Sequence, residues 1–135
     1  MTLELWRIVI DFGLVVLIWL TQLIIYPGMK TMSEDRLRQW HRTYTPRMAA
    51  ISGPLMLAQL VLSSSALFDE PSVWSIVIFI LVLATWAATF FVFIPLHARI
   101  SSDTSISQLV DKLVQYNWSR TVLWSLIFII DLVMN

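Results

Sequence analysis

The sequence predicts an all-α integral membrane protein: a four-helix transmembrane bundle of up-down topology, with a short cytoplasmic interfacial helix between spans one and two. Three observations predict it. Only 13% of the 135 residues are charged and 58% are hydrophobic, whereas soluble domains carry about 25% charged residues. Four apolar stretches, each near the roughly 20 residues that a bilayer-crossing helix needs, alternate with clusters of turn-forming residues. Lysine and arginine gather beside two of the three connections.

Span one covers about residues 3–26 and ends at Pro27-Gly28, since proline lacks the N–H that continues a helix and glycine tolerates a left-handed turn. Glu4, Arg7 and Asp11 interrupt its start and no small-x-small site follows, so it is expected to be retained and not cleaved as a signal. Thr31-Met32-Ser33-Glu34 fits a capping box, and Leu37, Trp40, His41 and Tyr44 share a face beyond it. That pattern suits a short helix lying along the membrane surface. Span two then covers about 46–68, capped by Thr45, opened by Pro46 and kinked at Pro54, the competing reading being one continuous bent helix from Met32 to Phe68. Asp69 or Glu70 caps span three and Pro71 opens it; it covers about 72–97, and Pro95 loosens its last turn. After a loop at Ser101–Ser105, span four covers about 106–134. These spans fill residues 1–135 as a single domain without a visible repeat or linker.

Of the nine basic residues, Lys30, Arg36, Arg38, Arg42, Arg47, Arg99, Lys112 and Arg120 lie in or beside the first and third connections, and only Arg7 lies opposite. The bias puts loops one and three in the cytoplasm and both termini outside, in a plasma or bacterial inner membrane. A net charge of zero gives no reason to expect nucleic acid. The absence of cysteine rules out disulfides, thiolate metal sites and cysteine nucleophiles.

Polar residues within spans are costly to insert, about 3 kcal/mol for a central charge, so they should face inward and find partners. They sort into two layers. Arg7 and Asp11, spaced i, i+4, form a structural ion pair near the termini that Asp131 joins. At the cytoplasmic ends, Tyr26, His41, Tyr44, Arg47, His97, Asn117 and Arg120 come from all four spans and are expected to converge on one ligand-binding pocket. Two guanidiniums there can grip an anionic group while Leu, Ile and Trp side chains hold an apolar tail, which points to an amphiphilic small molecule. The competing role for Arg47 and Arg120 is contact with lipid phosphates.

His41 and His97 admit a second reading as ligands of a metal or haem, because neutral imidazole is the commonest metal ligand. Neither lies in a compact ligand motif, and interfacial hydrogen bonding to backbone or water is the simpler account of both. A different class of function is a non-catalytic subunit, or a small transporter or channel, acting as a homo-oligomer or within a larger membrane complex. The segments Gln22–Pro27, Trp40–Tyr44 and Asn117–Thr121 resemble small four-span bacterial membrane proteins. That resemblance implies no activity or residue role. The glycine pattern of small fluoride channels and the central glutamate of small multidrug transporters are both missing from the sequence.

Overall fold

The computed structural model describes residues 2–102 and 106–134. Among them there is no strand, and four helices are long and apolar enough to cross a membrane: α1 (Leu3–Met29), α2 (Glu34–Asp69), α3 (Val73–Ser102) and α4 (Ile106–Met134). α1 packs on α2 and α4, and α3 packs on the same two.

Several boundaries differ from expectation for reasons of local hydrogen bonding. The separate interfacial helix is replaced by one 36-residue helix, α2, that passes through Pro46 and Pro54. A proline costs the helix one bond without breaking it where packing holds both sides, and Thr45 Oγ1 adds a bond to the carbonyl of His41, 2.9 Å away. The capping box at Thr31 does not form. Thr31 Oγ1 donates instead to the carbonyl of Gly28, and Ser33 takes the cap position by backbone alone. Neither Asp69, Glu70 nor Pro71 starts α3: Ser72 caps it through a reciprocal box with Ser75. Of the expected loop at 101–105, Ser101 and Ser102 belong to α3, and residues 103–105 lie outside the described residues.

Pro27 does not stop α1, and α3 runs on through Pro95; each proline is preceded by a π turn, over Thr21–Ile25 and Thr89–Phe93. The i→i+5 bonds of a π turn widen the helix just before the ring that would press on the preceding turn. Both segments open with a threonine six residues before the proline, and each hydroxyl donates to the carbonyl four residues back, at 2.8 Å for Thr21 and 2.9 Å for Thr89.

Two apolar clusters form the interior. One, at the end that carries the first connection, includes Tyr26, Met29, Leu37, Phe93, Ile100 and Leu113. The other, nearer the termini, includes Leu14, Ile18, Met56, Ile78, Val82, Trp124 and Ile127. The buried stripe of α4 is continuous, whereas that of α2 breaks between His41 and Met56 and that of α3 between Thr85 and Phe93. Those two gaps face one space. Large apolar side chains cover the outside of the bundle, among them Phe91 at 81% exposure and Ile24 at 63%.

Candidate functional site

The space left by the interrupted stripes is a pocket of about 470 Å³, lined chiefly by α2 and α3 and closed at the back by α1 and α4. Its floor is apolar, with Leu17, Ile18, Met48, Met56, Phe93 and Trp124. Its polar end holds Tyr26, His41, Tyr44, Thr45, His97 and Arg120. Helix periodicity brings these together: Tyr26 follows Gln22 by four residues on the buried face of α1, His97 follows Phe93 by four on α3, and Arg120 and Trp124 repeat the spacing on α4.

The polar groups form one hydrogen-bonded chain across all four helices. Arg120 donates through Nη2 to the hydroxyl of Tyr26 at 3.2 Å. That hydroxyl lies 3.0 Å from Nε2 of His97, whose Nδ1 lies 2.7 Å from Nε2 of His41. Nδ1 of His41 in turn lies 3.3 Å from Oγ1 of Thr45. A guanidinium has donors only, so Tyr26 accepts from Arg120 and keeps a proton that it can give to His97. With the imidazoles neutral and Tyr26 donating to His97, the chain runs in one direction. His97 carries its proton on Nδ1 and donates to His41, His41 carries its own on Nδ1 and donates to Thr45, and Thr45 donates to the His41 carbonyl. A second chain leaves the same arginine: Nε and Nη2 donate to Oδ1 of Asn117 at 3.0 and 2.7 Å, Asn117 to Gln22 at 2.9 Å, and Gln22 to the Val114 carbonyl at 3.1 Å. None of these bonds engages Nη1 of Arg120.

Arg120 is 8% exposed, and among the described residues no carboxylate lies within ion-pair distance of it. Its charge is met by neutral acceptors and by the faces of Phe93, 3.4 Å from ring centre to the guanidinium carbon, and Trp124 at 5.8 Å. A buried cation without an anion is expensive, and an anionic group entering the pocket would relieve that cost.

The structure therefore gathers Tyr26, His41, Tyr44, His97 and Arg120 along one pocket wall, with Asn117 behind Arg120 as its support. Arg47 is not among them. It follows His41 by six residues, which turns it about 120° away around α2, and it lies exposed in a neighbouring groove with Arg36, Gln39 and Trp40. As for a metal, among the described residues no three His, Cys, Asp or Glu side chains gather to hold one, and Nε2 of His41 faces Nδ1 of His97 at 2.7 Å. Gln22, which the sequence places in the same cytoplasmic-end layer, braces Asn117, while Thr45 and Phe93 complete the site although sequence reasoning did not place them there. Gln22 carried a signal, as an amide inside an apolar span; Phe93 carried none.

The second polar layer, near the termini, is built differently. Arg7 pairs with Asp131 and not with the helical neighbour Asp11. Asp11 instead accepts from Gln59 Nε2 at 2.6 Å, and Gln59 Oε1 accepts from the Trp124 indole at 3.0 Å. The cavity among these side chains is about 10 Å³. Comparison of the chain with protein-family models, curated proteins and solved structures finds no match.

Proposed function

We propose that the chain is a four-span, up-down bundle of a plasma or bacterial inner membrane, with loops one and three cytoplasmic, that binds an amphiphilic small molecule in the pocket between α2 and α3. The polar or anionic head meets Arg120, Tyr44, Tyr26 and the histidine pair, and the apolar body lies against Met48, Met56, Phe93 and Trp124. The observation that carries this reading is the buried Arg120 guanidinium, without a carboxylate partner, at the polar end of an otherwise apolar pocket. The apolar exterior and the eight-to-one bias of basic residues support the placement in the membrane.

The test is mass spectrometry of small molecules released from the purified protein. Wild type should retain an amphiphile that His97→Ala and Arg120→Ala lose while remaining folded and membrane-inserted. Equal retention by all three would refute the reading. Orientation is tested separately in the cysteine-free chain: a cysteine replacing Glu70 should react with an impermeant reagent in intact cells, and one replacing Ser33 only after permeabilisation.

A further inference from the structure

We infer that the pocket takes a weakly acidic hydroxyl compound, a phenol or enol with an apolar body, and holds it as the oxyanion after passing its proton along the Tyr26–His97–His41–Thr45 chain. The inference rests on the pocket being a ligand site, and it names the chemistry of the ligand's head.

The hydroxyl of Tyr26 has two lone pairs and one proton. One lone pair accepts from Arg120 and the proton goes to His97, so the remaining group is an acceptor. Beside it, Arg120 keeps Nη1 outside the chain, and Tyr44 lines the same wall. An acceptor next to donors is the complement of a hydroxyl, which gives one hydrogen bond and receives others. A carboxylate or phosphate ester meets that lone pair with a second acceptor and brings no proton to pass along the chain.

The chain also has a second self-consistent state. The ligand's O–H proton moves to Tyr26 while the Tyr26 proton moves to Nε2 of His97. Nδ1 of His97 releases its proton to Nε2 of His41, and Nδ1 of His41 releases its own to Thr45, whose former proton leaves to water on the side of the exposed lining residues Arg42 and Ser101. One proton leaves the ligand and one reaches water; each residue keeps its proton count. Every bond is then reversed. Thr45 donates to His41, His41 to His97, His97 to Tyr26, and Tyr26 to the ligand oxygen. Donors that pointed away from the ligand now point toward it, and Arg120 acquires the anion that the protein does not supply. A chain with a carboxylate anywhere along it would neutralise Arg120 and lose this second state.

The experiment uses full-length protein in lipid nanodiscs and a nitrophenol bearing a dodecyl chain, with its methyl ether as the control that has no proton. The nitrophenolate absorbs visible light and the phenol does not. At a pH where the probe is mostly neutral in empty nanodiscs, wild type should raise the ratio of phenolate to phenol in bound probe about tenfold, equivalent to one pKa unit. Arg120→Gln should return that ratio to the empty-disc value, and His97→Phe should lower it while Arg120 remains. Tight binding of probe and ether alike without the phenolate absorption overturns this inference and leaves the ligand pocket standing. If neither compound binds, or if binding is unchanged in Arg120→Gln and His97→Phe, both readings fall together. Unchanged helical circular dichroism and elution volume show which variants are folded and can be scored.

Discussion

Arg7 and Arg120 are buried to the same degree, 8% exposed, at opposite ends of one bundle, yet the protein treats them differently. Arg7 sits with Asp131 and Asp11 around a cavity of about 10 Å³, at or below the roughly 10–15 Å³ that one water needs. Arg120 has amide, phenol and aromatic neighbours and borders about 470 Å³. Arg7 also lines a cleft of about 430 Å³ with Glu4 and Glu70, so both arginines border space, but only at Arg7 does the chain supply the anions. The first arrangement ties α1 to α4. The second is the one that supports the proposed ligand site.

The contrast can be broken most forcefully at Arg7. Arg7→Ala leaves Asp131 and Asp11 buried without their cation and should cost about 3–5 kcal/mol of stability, as breaking buried pairs does. The measurement is unfolding in mixed micelles. Replacing both partners, as Arg7→Met with Asp131→Leu, should recover most of that loss, since an apolar pair of similar volume is often no worse than the ion pair. A double variant as unstable as the single one would mean that the layer does more than hold helices together.

At Arg120 the same logic predicts a smaller effect on stability. Arg120→Met removes an uncompensated buried charge together with the hydrogen bonds to Asn117 and Tyr26, and these oppose one another. We expect a change below about 1.5 kcal/mol, since net hydrogen bonds to charged groups contribute about 1.5–3 kcal/mol and the desolvation cost of the cation is relieved. Amphiphile retention should nevertheless be lost. A destabilisation as large as that of Arg7→Ala would erase the distinction between the two layers. Smallest of all is Arg47→Ala, an exposed site outside the pocket, expected within about 0.5 kcal/mol of wild type and with unaltered retention.

How much of this could be read beforehand depended on the reach of each signal. The four helices follow from composition and punctuation, which act within a few residues. The polar stripes follow from helical periodicity, and those of α1 and α4 correctly face one another, as Gln22 against Asn117 and Arg7 against Asp131 attest. Periodicity fails wherever the period changes. The π turns before Pro27 and Pro95 shift the faces beyond them, and nothing in Thr21 or Thr89 alone announces such a turn. Arg47 was grouped with the site because of its level along α2, but level and facing are separate coordinates. The choice of Asp131 over Asp11 as partner of Arg7 depends on helix packing, which one sequence does not encode at short range.

The π turns also bear on the length of the chain. A ring closed from i to i+5 contains one residue more than the α-helical ring, so each turn acts as a single-residue insertion absorbed inside a long helix. Deleting one residue within Thr21–Ile25 would turn the Thr21–Tyr26 backbone bond from i→i+5 into i→i+4 and restore uninterrupted α-helical register, with Tyr26 facing nearly as it does now. The helix would survive the deletion, and so would the contact of Tyr26 with His97. Thr89–Phe93 stands in the same relation to His97. α1 and α3 thus each contain one place where the loss of a residue would be silent both for crossing a membrane and for the chain of hydrogen bonds.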